Sequence, residues 1–389
     1  MKKIILILSM FVSVNFLFAE NLQKKFIKGN LADKTAAVKE ATSKDSLWLS
    51  TKAIDFVIEN QEFLGDDKEL AGLALAGILS FPNEAAVSYS DIEKKHLSSK
   101  LVKIYNHFNK DSTVQIAVLS KFVSLNNVIP SKDFSIALGK SIMEKDNSET
   151  DPALLHAIVS TLGSIGDNFS FMALYVSYMQ PAFKDVRPDI MDSLSKLIYC
   201  SKAEILQIIY LHDLVHLQNI YNLISNSSNI SQNLLSEIAE NLLNESIVLA
   251  GSNSEKIEDI TKIQLGTVDL LNKNKCTRAA ACMISYYNFA KKQFNEGIIS
   301  EQQFAQVISA LGNVAPIDSV EPLISYLEQL NAATEAETKV SAIIVTAVIN
   351  TLGAIGDKSA FDSLLAATYL TYPDSVLYAA REALAGLKW

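Results

Sequence analysis

Arginine is nearly absent from this chain: its 389 residues include three, Arg187, Arg278 and Arg381, far apart in sequence. Arg is the side chain best suited to bidentate contacts with phosphates and base edges. The 34 Lys and Arg are outnumbered by 43 Asp and Glu, a formal charge of −9. Nucleic acid is therefore not an expected partner. Glycine (14) and proline (8) are also scarce, which excludes collagen-like, low-complexity and turn-dense β architectures. With 49% hydrophobic and 20% charged residues, the chain is too apolar to be mostly disordered and long enough to bury an extensive core. A helical protein is the first expectation.

Cysteine is equally sparse. Three Cys cannot all pair within one chain. Cys276 and Cys282 are six residues apart in an expected helix, which separates their Cα atoms by about 9 Å, too far for a disulfide. All three, Cys200 included, are expected as small buried residues. Missing too are a P-loop and a Gly-x-Gly-x-x-Gly turn, and with them the parallel-sheet frame that displays such loops. Neither Gly251-Ser252-Asn253-Ser254 nor Gly163-Ser164-Ile165-Gly166 supplies the Gly-x-Ser-x-Gly of a nucleophile elbow.

One long hydrophobic run does occur, at the start. Met1 to Ala19 has the three parts of a secretory leader: Lys2 and Lys3, an apolar stretch from Ile4 to Phe18, and a small residue at Ala19. The stretch is shorter than the ~20 apolar residues of a membrane span and is interrupted by Ser9, Ser13 and Asn15, so cleavage is expected. No Cys stands near the cleavage point to carry a lipid, and no later stretch reaches spanning length without charges. The mature chain carries 32 Lys and Arg against 43 acids, a formal charge of −11. The bias to Lys over Arg and the frequent Asn suit an A+T-rich bacterium, in which export leads to the periplasm, with the cell surface or the medium as further destinations.

What organises the rest is repetition. Thr161-Leu162-Gly163-Ser164-Ile165-Gly166-Asp167 recurs as Thr351-Leu352-Gly353-Ala354-Ile355-Gly356-Asp357, with one difference in seven positions, and more loosely from Ala310 to Asp318. Leu352 and Ile355 fall on one helix face, and Gly353 leaves room for a neighbouring helix. The second glycine suits the left-handed conformation that ends a helix, and the Asp is a good N-cap for the next. Phe361, Leu364, Leu365 and Thr368 then follow helical spacing. After the turn residues Tyr372-Pro373-Asp374-Ser375 so do Val376, Ala379, Ala380, Ala383, Leu384 and Leu387. A looser signature, Leu followed by a small residue and an apolar one at i+3, marks Leu75, Leu119, Leu162, Leu194, Leu311, Leu352 and Leu384, with degenerate copies at Leu235 and Leu265. Most intervals approximate one helical hairpin, so about eight to ten hairpins fill the chain.

These residues resemble the HEAT-repeat family, in which a helix often ends in Leu-Gly-x-Ile-Gly-Asp and the next begins near Ala-Val-Pro-x-Leu-Ile. Residues 345 to 387 carry a nearly complete unit, Asp318 to Leu327 match a first helix through Val320-Glu321-Pro322-Leu323-Ile324, and 151 to 179 match a turn with its flanks. One departure is that Val376-Leu377 stands where the family commonly has Val-Arg. The resemblance implies an all-α solenoid, a right-handed superhelix of stacked antiparallel helix pairs, and usually a protein-binding scaffold. The expected organisation is a leader at 1–19, capping helices at 20–64 and repeats at 65–389, degenerate around 209–275, in one elongated domain. Asp151-Pro152 reads as an N-cap followed by Pro at the first helical position, and Gln180 to Pro188 as a connection. The capping region includes a long helix from Asp45 to Leu64, with Leu47, Ile54, Val57 and Ile58 as apolar contacts.

Chemistry has one sharp candidate. His212 and His216, spaced i, i+4, would both reach one metal if they shared a helix face. The zinc-protease pattern has Glu beside the first His, whereas this chain has Asp213, and no third ligand stands at a useful spacing. The iron-binding His-Glu dipeptides of some HEAT-repeat enzymes are missing, since none of the five His precedes a Glu. Asp66-Asp67 and Glu258-Asp259 read as helix starts rather than acid–base pairs, and Tyr286-Tyr287 and Tyr369-Tyr372 as core or its margin. No catalytic, cofactor or metal residue is assigned. The expected function is a non-catalytic, exported scaffold for a protein partner, one with a basic patch given the acidic chain. The rivals are a metal-dependent enzyme built on His212 and His216 and a surface adhesin or envelope structural protein.

Overall fold

A computed structural model describes residues 22–144, 150–228, 230–252 and 254–388. The leader expected at 1–19 lies outside them. Among the described residues every regular element is helical, and the one strand-like feature is an isolated bridge between Asp357 and Lys388. No helix among them is long and apolar enough to cross a membrane. Two compact units divide at Cys200 and Ser201.

The first unit contains α1 (22–28), α2 (Leu31–Lys39), α3 (Ser46–Leu64), α4 (Lys68–Ser80), the single turn α5 (Asn83–Val87), α6 (Asp91–His107), α7 (Ser112–Ser124), α8 (Lys132–Glu144), α9 (Pro152–Ile165), α10 (Asn168–Met179) and α11 (Arg187–Leu197). Successive hairpins α3/α4, α6/α7, α8/α9 and α10/α11 stack so that α4, α7, α9 and α11 pack in order as one row, with α2 against α4. Sequence-local capping sets the hairpin ends. Asp67, Asp111, Asp151 and Asp167 each accept backbone N–H groups at the start of α4, α7, α9 and α10, and Ser90 and Glu93 form a capping box on α6. Pro152 occupies the first turn of α9 as its spacing predicts, and the connection after Gln180 folds as the 3-10 turn Pro181–Val186. The long helix expected from Asp45 to Leu64 forms as Ser46–Leu64. Its buried face is Leu49, Ala53, Ile54 and Val57, while Leu47 and Ile58 are only half-buried.

In the second unit follow α12 (Lys202–Ile209), α13 (Leu214–Asn226), α14 (Gln232–Ser252), α15 (Ile257–Lys273), α16 (Ala280–Asn295), α17 (Glu301–Val314), α18 (Val320–Glu335), α19 (Ala342–Ile355), α20 (Phe361–Ala367) and α21 (Asp374–Ala385). Here α13, α15, α17, α19 and α21 form the continuous row. Each unit is thus an all-α, solenoid-like stack of helical hairpins. The leucine signature marks one row in each unit. Leu75, Leu119, Leu162 and Leu194 lie on α4, α7, α9 and α11, and Leu265, Leu311, Leu352 and Leu384 on α15, α17, α19 and α21. Leu235 falls on α14, in the other row, and does not belong to the ladder.

The two copies of the heptad fold differently at their second glycine. Gly356 ends α19 in the left-handed conformation, φ 75°, as expected, and Asp357 caps a 3-10 turn, Lys358–Ala360, before α20 begins. Gly166 is extended, φ −78° and ψ 178°, because the chain passes straight into α10 with Asp167 as N-cap. A side chain at 166 is excluded by crowding instead: a Cβ there would lie 2.5 Å from the Ser170 Cβ.

None of the three Cys is in a disulfide. Cys276 and Cys282 are buried, but Cys200 is half-buried, and Cys276 precedes the 3-10 turn Thr277–Ala279 rather than sharing a helix with Cys282.

Candidate functional site

His212 and His216 are not partners on a helix. His212 lies in the α12–α13 connection with φ 54°, in the left-handed region, and α13 starts only at Leu214. Asp213 is the reason. Its carboxylate accepts the backbone N–H groups of Val215 (2.9 Å) and His216 (3.3 Å), so the helix is capped between the two histidines. The His212 ring turns instead to α14, where Nδ1 stands 2.7 Å from Glu245 Oε2. Two other histidines also span neighbouring elements. His156 Nδ1 is 2.8 Å from Asp189 Oδ2, joining α9 to α11, and His107 Nε2 is 3.0 Å from the Gly65 carbonyl, joining the ends of α6 and α3. Among the described residues no three His, Cys, Asp or Glu side chains gather where a metal ion would sit.

The remaining candidates resolve into structural roles. Asp67 caps α4, Asp66 lies 3.7 Å from Lys110, and Asp259 lies 2.8 Å from Lys262 in the first turn of α15. Burial pushes the Cys282 thiol up to about 12, the reverse of what a nucleophile needs. Tyr286 and Tyr287 are core residues, with Tyr287 stacked on Phe304 at 5.9 Å between ring centroids. Tyr372 is buried and its hydroxyl donates to Asn331 Oδ1 (3.1 Å), whereas Tyr369 is 81% exposed.

Concave places also lie within each unit, and residue spacing marked none of them. In the second unit a groove of about 560 Å³ runs across three successive helices of the continuous row. Asp269 and Asn272 of α15, Gln302, Gln306 and Ser309 of α17, and Ile343 of α19 line it. Its one charge, Asp269, is paired with Lys273 at 2.6 Å. In the first unit a cavity of about 570 Å³ lies among α6, α7, α8 and α9, over an apolar floor that includes Phe134, Leu138 and Ile158. Tyr105 and Gln115 reach its interior, and Asn106 and Asn109 stand one turn apart on its α6 side. Asn106 lies on α6 and Asn109 just past its end, and no spacing in the sequence signals the cavity, because its lining is drawn from four helices.

Comparison with family models, with curated proteins and with solved structures finds no match for this chain.

Proposed function

We propose that this protein is a non-catalytic, HEAT-like scaffold, exported to the bacterial periplasm or envelope, that binds a protein partner. The observation that carries this reading is the groove of the second unit, which draws its lining from α15, α17 and α19. A surface shared by successive repeats suits an extended partner better than a small molecule. Charge supports the same reading. Residues 201–389 hold 12 Lys and Arg against 20 Asp and Glu, a formal charge of −8, while residues 20–200 hold 20 against 23. The partner is then one with a basic patch, steered to the second unit and released by salt. The separation of His212 from His216 by the Asp213 cap removes the ligand geometry on which the metal-enzyme rival was built.

The test is cross-linking in the source cells, affinity capture of the mature chain and mass spectrometry, repeated at rising salt and with Ser309→Trp, which places a bulky ring in the groove. The reading expects one dominant partner, lost as salt rises and lost with Ser309→Trp while the helical circular dichroism is unchanged. A partner-free chain holding stoichiometric metal that disappears in the His212→Ala/His216→Ala variant overturns it.

A further inference from the structure

In the second unit α17 and α19 each keep one face for the helix that follows in the row. The residue three before the signature leucine and the small residue one after it lie on that face. Ile308 of α17 and Ile349 of α19 are fully buried there, and a Cβ on Gly312 or Gly353 would meet Thr351 or Ala383 of the next helix at 3.2 Å or 2.7 Å. In the first unit α9 does the same, with Val159 buried and Gly163 against Ser193 of α11. α21 repeats the pattern at Arg381, Leu384 and Ala385, and among the described residues of this unit no further helix follows it. Its corresponding face is open. Arg381 and Ala385 are exposed, and Leu377 and Leu384 are half-buried where Val345 and Leu352 of α19 are buried.

The charges on this face select its occupant. Asp374, Leu377, Tyr378 and Arg381 are spaced i, i+3, i+4, i+7 and share one side of α21. Tyr378 is 66% exposed, and Tyr369, in the turn before α21, is 81% exposed. An acid opens the stripe and a guanidinium closes it, about 10.5 Å further along the helix. Among the described residues neither Asp374 nor Arg381 has an ion-pair partner or a side-chain hydrogen bond. A basic partner would leave Arg381 unmatched, and an acidic one Asp374. The matching surface carries both charges at the same spacing and in reverse order, and α21 of a second copy is such a surface. Turned about a two-fold axis through Leu377 and Tyr378, it runs antiparallel to the first and brings each Arg381 level with Asp374 of the other copy. The same rotation sets the turn at Tyr369 of one copy over Ala385 of the other, where the small side chain leaves room.

We propose that this protein pairs with a second copy of itself through α21, antiparallel about a two-fold axis, with Leu377 and Tyr378 at the centre and Arg381 of each copy bonded to Asp374 of the other. The pairing continues, between two chains, the contact that joins α17 to α19 and α19 to α21 within one. One helix and its turn bury less area than a permanent dimer does, so the copies join and part reversibly in the micromolar range. The proposal is separate from the scaffold reading and stands whether or not the groove among α15, α17 and α19 receives a partner.

Sedimentation velocity of the full mature chain from about 1 to about 200 µM tests it, a range that brackets micromolar dissociation constants. The parent is expected to pass from monomer to dimer and no further, since a two-fold interface closes on itself. Arg381→Asp sets Asp374 against a second acid, and Asp374→Arg sets Arg381 against a second cation. Each single variant is expected to dimerise at least about tenfold more weakly, with helical circular dichroism unchanged because both positions are exposed. Mixing the two single variants restores both ion pairs, so the equimolar mixture is expected to form a one-to-one dimer at the parent's affinity, and Asp374→Arg/Arg381→Asp in one chain to dimerise with itself. Should a single variant lower the melting temperature, Tyr378→Lys, which sets like charges at the axis, is expected to give the same loss. The proposal is overturned if the parent stays monomeric throughout, if it assembles beyond a dimer, if the variants dimerise as well as the parent, or if neither the mixture nor the charge-swapped chain recovers the dimer.

Discussion

Gly353 of α19 lies against Ala383 of α21 so closely that a Cβ on it would fall 2.7 Å from the Ala383 Cβ and 2.8 Å from its Cα. The obstruction includes backbone, so no rotamer relieves it, and α19 and α21 would have to move apart. Gly353→Ala is expected to destabilise the second unit by about 1–3 kcal/mol, the usual cost of overpacking. Gly72 of α4 provides the control, since a Cβ there meets nothing within 4 Å. Gly72→Ala is expected to stabilise by about 0.5–1 kcal/mol through helix propensity alone. Urea midpoints for both variants check the pair, and equal shifts of the same sign would mean that helix contact is not what the glycine at 353 serves.

That contact was legible in the sequence because its cause is local and periodic: a small residue after Leu352, one position from the buried stripe, has to face a neighbour. The same holds for Asp151, Asp167 and Asp357, whose capping depends on the next three residues only. Gly166 and Gly356 show the limit. N-terminal neighbours that differ only at Ser164 and Ala354 leave the backbone at the second glycine undecided, and the following segment, helix or 3-10 turn, settles it. His212 is a sharper case, since two histidines four apart signal a shared helix face only if the helix includes both, and the aspartate between them begins it late. The unit 1 cavity was not legible, because Tyr105, Gln115 and Phe134 meet across three helices with no common period.

Lys121 tests a buried cation. Its Nζ donates to the Phe81 carbonyl just beyond the end of α4 (2.8 Å) and to Asn83 Oδ1 (3.0 Å), satisfying acceptors at the negative end of a helix. Lys121→Met keeps the stem and removes the donor, leaving a buried carbonyl unpaired, and is expected to cost about 1–3 kcal/mol. Desolvation holds the Lys121 ammonium below its ordinary 10.5, with Glu84 opposing. A folded-state value below the unfolded one means the unfolded chain binds more protons between the two, so this group makes stability rise with pH across that interval. Chemical denaturation over a pH series should show that rise in the parent chain and a smaller one in Lys121→Met.

Alkaline titration probes the aromatic core. Burial pushes Tyr105 and Tyr326 up to about 12 and Tyr286 and Tyr287 higher still, and Cys282 rises from 9.0 to about 12. Each value is raised above the unfolded one, so the native state keeps protons that the unfolded chain gives up. Their contribution is complete below pH 9 and is lost as pH climbs from 9 for the thiol and 10 for the phenols through about 12. Helical circular dichroism and tyrosinate absorbance followed together should change in one cooperative step in this interval. Ionisation of the buried tyrosines with helix content intact would contradict the burial assigned to them.

Tyr287 separates the ring from its hydroxyl. The side chain is 2% exposed, packed against Phe304 and Tyr326, and its hydroxyl has no hydrogen-bond partner, a state shared with Tyr286 one position before it. Burying a hydroxyl without a partner costs about 1–3 kcal/mol, while the ring contributes through contacts that phenylalanine reproduces. Tyr287→Phe is therefore expected to raise stability by about 1 kcal/mol and to move the alkaline midpoint upward, because one group that resists ionisation has been removed. Tyr287→Leu, which loses the stack on Phe304, is expected to destabilise by about 1–3 kcal/mol. If Tyr287→Phe instead lowers the urea midpoint, the hydroxyl is bonded to an ordered water inside the second unit. Quenching of that loss when Tyr286→Phe is added would place the same water between the two tyrosines.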